Sequence, residues 1–463
     1  MNIPLTLLVV YSAALVVVGL WIARLVRGSG EFFVAGRQLP ASLIFATVLA
    51  ANIGASSTVG ATGLAYREGL SGWWWNGSAA IGSLALAFWI GPRIWSLAAR
   101  HGFYTTGDFL EHRYSRMVRG VVAALLWAGT LAILAAQLIA GAAVLDVVAG
   151  LSRPAGAAIG GLVMTIYFVA GGLLSSVWVN AVQLVVLLGG FLVAAPMLYT
   201  GVGGSAAIAA SDVPSTYWSV WYSSGAANSG WANLFLLAPA FIISPGLLQK
   251  AYGARSAGAV RRGVGWQAVA LMAFACFPVF FGVAARAAHP GISDPNVVLP
   301  TILAQDLPVW MGALALAAIF SAEVSTCDAI LFMLATSLSK DLYKGFVNPD
   351  ADDRRLLFVA RLAAVAGGVA GVVLAIVLQT VIQAATVFYS VLGVSLFVPV
   401  VGGLMTRRAG PTEALASIVA GTATLLGVWW WTAGRGYGVW NPNILGLLAA
   451  AAAYAGVMMV RRS

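Results

Sequence analysis

Thirteen apolar runs, each long enough to cross a bilayer, follow one another along this chain and leave no stretch in which a water-soluble domain would fit. A segment of about 20 apolar residues has no water to satisfy its backbone once it enters hydrocarbon, so it must become a helix or part of a closed barrel. The runs are too long for barrel strands and do not alternate polar with apolar, which leaves helices. Composition agrees: 61% of the 463 residues are hydrophobic and 9% charged, against roughly 25% charged in a soluble domain. The chain reads as an all-α integral membrane protein.

The spans fall at 3–26, 41–66, 73–98, 117–148, 155–171, 173–200, 231–254, 263–287, 308–338, 356–378, 381–405, 413–432 and 443–460. Lys and Arg collect in cytoplasmic loops, and their placement tests this count. With the N-terminus outside and the C-terminus inside, 21 of the 25 basic residues fall on the inner side, and only Arg67, Arg153, Arg286 and Arg435 fall outside. Adding or losing one span would scramble the alternation. The first run carries no Lys or Arg before residue 24 and exceeds a signal-peptide core in length, so it reads as a retained helix. Residues 339–355, mixed in sign, read as a solvated cytoplasmic loop. The triplet Trp73, Trp74 and Trp75 reads as an interfacial anchor, with a cap over the outer entrance as the alternative.

Several function classes are excluded by what the chain lacks. The net charge of +10 is spread between apolar runs and forms no recognition patch for nucleic acid. Cys276 and Cys327 stand alone in apolar segments, with neither a disulfide framework nor transition-metal ligand spacing. No H-E-x-x-H, G-x-S-x-G or Walker loop occurs, and His101, His112 and His289 all sit in loops, so an intramembrane enzyme is not indicated.

Two spans are interrupted. The second reads LAANIGASSTVG, with Asn52, Gly54, Ser56 and Ser57 at mid-membrane, and the seventh reads PAFIISPGLLQ, with Pro239, Ser244, Pro245 and Gly246 at its middle. Broken helices at matching places in two halves mark inverted-repeat transporters that bind their cargo at the break. Spans 2–6 (41–200) and 7–11 (231–405) then form the two repeats of a single transporter domain, flanked by the extra helix 3–26 and two C-terminal helices at 413–460. Gly and Pro used only for close packing is the alternative.

The ninth span reads IFSAEVSTCDAILFMLATSLSKDLYK and carries Glu323 and Asp328, the two carboxylates near mid-membrane. Buried ionisable groups are costly in lipid and usually face an interior pathway. Ala322, Ser325, Thr326 and Ala329 share one helix face by their spacing. Hydroxyls there, with carbonyls freed by a break in a neighbouring helix, offer oxygens to a hard cation; hydroxyls bonding back to their own helix are the alternative.

These segments carry a family resemblance. SAEVSTCDAILF followed by SKDLYK resembles the signature helix of the sodium:solute symporter family. EFFVAGRQLP, ATVLAANIGASSTVGATGLAYREGLS, TTGDFLEHRY and LLQKAYGARS are also similar to family segments, in order along the chain. The resemblance implies a leucine-transporter-like fold with 13 helices and sodium-coupled uptake of a small organic solute across the plasma membrane by alternating access. It implies Na+ as the coupling ion, a monomer as the working unit, and an uncharged cage made by the carbonyls of Ala50, Ile53 and Ala322 and the hydroxyls of Ser325 and Thr326. Where many members have an Asp on the sixth span this chain has Asn180, so a second cation or a proton would involve Asn180, Asp328 and Glu323, unless these serve as structural hydrogen-bonding groups; Glu323 turned toward Gln137 is one such arrangement. The solute pocket is expected where the broken helices meet their neighbours, with Asn52, Ser56, Ser57, Asn76, Gln137, Ser244 and Thr386 as polar candidates. Sugar-transporting relatives have Gln and Glu at the positions of Ser57 and Asn76, and a Tyr where Gly246 stands, which makes a sugar a poorer fit. Proton coupling on the same fold, and a substrate sensor with a separate signalling partner, are the competing readings.

Overall fold

The computed structural model describes residues 35–221 and 230–461 with scattered positions between 5 and 17; within its helices the side chains at 167, 169–181, 321, 325 and 328 lie outside the described residues. The expected first span therefore falls almost wholly outside the described residues. Among the described residues there is no β-strand, only the isolated bridges Leu39 to Ala254 and Tyr437 to Trp440. A chain bounded by lipid has to close its backbone hydrogen bonds within each segment, and helices do so.

Helix α1, Ala41–Asn52, stops at mid-span, and a π-helical turn at Ser56–Gly60 leads into α2, Ala61–Glu68. Helix α3, Trp73–Ala85, runs through a second π-helical turn into α4, Gly91–His101. The short α5, Thr106–Arg113, is held by a capping box between Thr105 and Asp108. Then come α6, Arg116–Ala149, and α7, Arg153–Gly201. Helices α8, Asn233–Ile243, and α9, Pro245–Tyr252, part at Ser244. The remaining elements are α10, Ala257–Phe274; α11, Cys276–Ala288; α12, Val298–Gln305; α13, Val309–Thr336; α14, Asp353–Val377; α15, Val381–Met405; α16, Pro411–Thr432; and α17, Pro442–Val460.

Both expected breaks are present. Pro245 cannot donate to a helical carbonyl and pushes Ser244 out of helical backbone (φ −50°, ψ 119°), so α9 starts afresh with Pro at its first position. Ten helices among the described residues are long and apolar enough to cross a membrane. Thirteen were expected. The first lies outside the described residues, the broken second is shared between Ala41–Asn52 and the run Ser56–His101, and the fifth and sixth both fall within the helical backbone Arg153–Gly201, of which Val182–Gly201 is the stretch counted.

The packing is reciprocal. Helix α1 lies on α10 and α2 on α11, while α8 lies on α3; α6 lies on α15, while α7 lies on α13. Each pairing maps onto its counterpart when residues 41–200 and 231–405 are exchanged. Small residues permit the close approaches: a Cβ at Gly190 would meet Ala318, and one at Gly82 would meet the Ala238 backbone at 2.5 Å.

Two local readings of the sequence are corrected. The 339–355 stretch is not a solvated loop throughout, because Ser337–Val347 continues the helical backbone after α13 and buries Ser339, Lys340 and Asp341. The cause is Arg119, which reaches Asp341 at 2.9 Å and the Lys340 carbonyl at 2.9 Å. Trp74 and Trp75 are buried rather than interfacial, because α3 packs on α8 and α10 and its start lies against the outer loop; Trp74 donates to the Val220 carbonyl and the Trp75 ring lies 6.3 Å from that of Tyr389.

Candidate ion and solute site

The break after α1 is made by residues of other helices. Gly54 has no Cβ, and one built there would overlap the Thr326 hydroxyl of α13 and come within 2.8 Å of the Gln137 amide oxygen of α6. In an unbroken helix the Ala55 amide would bond the Ala51 carbonyl. Here it donates instead to Gln137 Oε1 at 2.8 Å, and Ile53 adopts non-helical backbone (φ −99°, ψ 86°). A side chain five helices further along the chain thus opens α1 and leaves carbonyls without their usual donors.

Some of those carbonyls are satisfied locally. Ser57 Oγ donates to the Asn52 carbonyl at 2.6 Å, Thr58 Oγ1 to that of Gly54 at 2.9 Å, and Asn76 Nδ2 to that of Ser57 at 2.9 Å. Others converge on α13: Thr326 Oγ1 lies 3.5 Å from the Ala50 carbonyl and 3.4 Å from that of Ala51. Hydroxyl hydrogen bonds usually measure about 2.5–3.0 Å, so these contacts are long. Among the described residues no backbone amide outside the helices donates to the Ile53 carbonyl. Ala50, Ile53, Ala322 and Thr326 are all buried, and Ala322 stands one turn before Thr326 on the same helix. The side chains of Ser325, Asp328 and Asn180 lie outside the described residues.

Glu323 is on the same helix and fully buried, and neither of its carboxyl oxygens has a hydrogen-bond partner. It faces Gly141 of α6, where an added Cβ would stand 3.2 Å from Oε2. Gln137, one turn earlier on α6, also has an unpartnered Nε2. Glu323 and Gln137 therefore face the same interhelical seam without bonding to each other.

The solute candidates divide. Asn52, Ser56, Ser57, Asn76 and Gln137 gather around the break, but Ser57, Asn76 and Gln137 spend polar atoms on the backbone it frees, while Asn52 keeps an unpartnered Nδ2. Ser244 stands at the second break. Thr386 lines a cavity of about 500 Å³ above the breaks. Aromatic residues form the floor between: Tyr389, one turn beyond Thr386, and Phe241, both missed by the sequence reading, pack at 5.4 Å, and Tyr389 lies 6.3 Å from Trp75. The available signals were the Thr386–Tyr389 spacing and the inward-facing third Trp of the triplet.

The opposite end is shut. Arg119 holds Asp108 at 3.1 Å, Glu111 at 2.5 Å and Asp341 at 2.9 Å, and Thr105 donates to Asp341 at 2.7 Å. Lys340 sits over the Tyr104 ring at 3.9 Å, and beside it lies a cavity of about 20 Å³ bounded by Thr130, Gln249 and Ser337. On the adjoining loop, burial pulls the Arg37 guanidinium below its ordinary pKa while it bonds the carbonyls of Phe103 and Tyr252. The chain thus combines a broken-helix oxygen cluster, a chamber on one side and an ion-paired seal on the other.

Residues 32–421 match the model of the sodium:solute symporter family. The chain belongs to this family. It is 25% identical to the sodium/glucose cotransporter of Vibrio parahaemolyticus, over 90% of this chain and 83% of that one. It is 27% identical to the sodium/pantothenate symporter of Escherichia coli (strain K12), over 84% of this chain and 82% of that one. In fold it is similar to a Na+-coupled sialic acid symporter solved in a substrate-bound outward-open state, with a TM-score of 0.84 at 18% identity, covering 99% of this chain and 98% of that one. It is also similar in fold to Mhp1, a nucleobase-cation-symport-1 family transporter, with a TM-score of 0.63 at 14% identity over 93% and 94% of the two chains.

Proposed function

We propose that this member is a secondary active transporter that couples Na+ to the uptake of a small organic solute by alternating access. The observation that carries the reading is the Thr326 hydroxyl, set 3.4–3.5 Å from two carbonyls of the broken helix. At the roughly 2.3–2.6 Å at which hard cations such as Ca2+ contact oxygen, two oxygens so spaced subtend about 90° at the ion, the angle between neighbours in an octahedral shell. Carbonyls of Ala50, Ile53 and Ala322 with hydroxyls of Ser325 and Thr326 would hold the ion; the Ala51 carbonyl joins them on the observed distances. No formal charge belongs to this set, which suits an ion that must leave again on the inner side.

The cage spans α1 in one repeat and α13 in the other, so a bound cation ties the halves together, and the open chamber with its sealed opposite end supports an outward-facing arrangement. Arg37, Arg113 and Arg119 converge on the sealed end, in keeping with a cytoplasmic face there, an external N-terminus, a cytoplasmic C-terminus and thirteen spans in a plasma membrane. The relatives named above differ in solute. Ser57 and Asn76, bound to the backbone at the break, leave few groups for a sugar's hydroxyls.

The test is the thermal midpoint of purified protein in sodium against matched choline and potassium, with Thr326→Ala and Ser325→Ala alongside. An ion that binds only the folded state raises its stability by mass action. A sodium-specific rise lost in both variants supports the cage; an equal rise in parent and variants refutes it. The unpaired carboxyl of Glu323 favours one second reading, proton coupling, under which the midpoint follows pH and ignores sodium. Saturable solute binding with no accumulation in vesicles under an inward sodium gradient would instead mark a sensor.

A further inference from the structure

The cavity of about 20 Å³ at the sealed end is lined both by Pro245 of the second break and by Asp341 of the seal. Its volume is close to that of one water-sized sphere, enough for a single water or one bare ion. Helix rise fixes its depth. On α6 Thr130 precedes Gln137 by seven residues, and on α13 Met333 follows Thr326 by seven. At 1.5 Å per residue both lining residues stand about 10 Å from the opened helix, toward the seal. The cavity therefore lies between the oxygen cluster at the break and the ion-paired end.

Its wall is rich in oxygen. Asp341 is 5% exposed, and among the described residues every hydrogen bond it accepts falls on Oδ1: from Thr105 at 2.7 Å, from Arg119 Nε at 3.1 Å and from Arg119 Nη2 at 2.9 Å. Oδ2 accepts none. Gly107 makes room for it, since a Cβ there would stand 3.0 Å from Oδ2. Arg119 does not cancel the charge of Asp341, because Asp108 and Glu111 share the same guanidinium. Thr130 contributes a hydroxyl from α6, and Gln249 of α9, 3% exposed, brings an amide oxygen that no donor reaches. Ser337 donates to the Ala123 carbonyl, which leaves its own lone pairs unused. No Lys or Arg among the described residues lines the space. Unmet buried acceptors are costly. One water can donate to only two of them, whereas a cation meets every oxygen around it at once.

We propose that this cavity is an inner cation site, distinct from the cage, in which Asp341 Oδ2, the Thr130 hydroxyl and the Gln249 amide oxygen hold a sodium ion on its way out. The proposal rests on the sodium reading for the identity of the ion and not for the existence of the site. The cage carries no formal charge and the inner site carries one, so an ion passing inward goes from a neutral set of oxygens to a charged one before the seal opens. An anion in the same place would meet the carboxylate and no basic lining.

The experiment is equilibrium binding of radiolabelled sodium to the full-length purified protein in choline, for the parent and for Thr326→Ala, Thr130→Val and Asp341→Asn. The parent should show two components. Thr326→Ala should remove one and leave the other, Thr130→Val should weaken the one that remains by about tenfold or more, and Asp341→Asn should abolish it. A single component in the parent that Thr326→Ala abolishes overturns the proposal, because the cavity then holds water only. A second component that neither Thr130→Val nor Asp341→Asn alters overturns it, as does the loss of both components in Thr130→Val, since the two sites would then not be separate. Sodium binding untouched by Thr326→Ala but weakened by Thr130→Val refutes the cage and keeps the inner site, so the two readings fail separately. Should Asp341→Asn fail to fold, Thr130→Val, which keeps the shape of the side chain and touches no ion pair, still decides.

Discussion

Gly54→Ala tests the site at its tightest point. The added methyl would overlap the Thr326 hydroxyl and stand 2.8 Å from Gln137 Oε1, so one neighbour must move. Displacing Gln137 strands the Ala55 amide, a buried donor bonded at 2.8 Å, at a cost of about 1–3 kcal/mol. Displacing Thr326 removes a hydroxyl from the ion's shell; contacts to a charge are worth roughly 1.5–3 kcal/mol, or about one to two decades in sodium affinity. Either shift carries overpacking strain of about 1–3 kcal/mol. The alanine variant should therefore be less stable in choline, and should need about 10-fold to 100-fold more sodium for half of its thermal shift. The control is Gly129→Ala, also on α6, where the nearest atom to the new Cβ is 3.6 Å away; its sodium curve should match the parent. A Gly54→Ala curve within twofold of the parent would refute the assignment of Thr326 to the ion.

Four further outcomes are expected. Thr326→Ser should keep sodium activation of uptake while Thr326→Ala loses it, since the hydroxyl and not the methyl is the proposed ligand. Gln137→Leu should lower stability in choline by about 1–3 kcal/mol, by removing the acceptor that opens α1, and should weaken the sodium response as the helix closes over its carbonyls; unaltered denaturation and sodium curves would count against this. Arg119→Gln leaves Asp108 and Asp341 facing each other without their cation, a change worth about 3–5 kcal/mol at a buried pair, and should open the inner seal. A cysteine introduced at Ser337 should then be labelled faster from the cytoplasmic side, and no change in rate would count against the seal. Asp328→Asn should alter the number of sodium ions carried per solute if Asp328 belongs to a second site, as reversal-potential measurements on proteoliposomes would show.

Periodicity and hydropathy made the helices and both breaks legible, because a membrane span and a Pro-Gly interruption are local events written within some 20 residues. Convergence was not legible. Gly54 reads as a helix breaker in the sequence, whereas in the fold it is also the gap that admits Thr326 and Gln137, residues far away along the chain. For the same reason the sequence offers Ser57 and Asn76 as solute candidates without showing that each also bonds the opened backbone. Charge patterning misplaced Lys340 and Asp341 in solvent, since a pattern of signs does not reveal that Arg119 lies across the interface to hold them. The triplet at Trp73 illustrates a different limit. Aromatic residues at a helix end are interfacial on average, whereas Trp75 is buried because α3 packs on α8 and α10, which lie far away along the chain.

That same packing bears on how ion and solute are coupled. The proposed cage would take oxygens from α1 and from α13, which belong to opposite halves of the reciprocal bundle. A cation shared between them favours whichever arrangement keeps these helices at this spacing, by as much as its affinity differs between arrangements and no more. The seal around Arg119 ties α5 and α6 to the extension of α13. Helix α13 would thus carry the proposed ion ligand Thr326 in its middle and, on its extension, the seal partner Asp341. Where the extension moves rigidly with α13, a displacement that breaks the seal also moves Thr326 relative to α1, and a variant that loosens the seal should then lower sodium affinity without touching the cage.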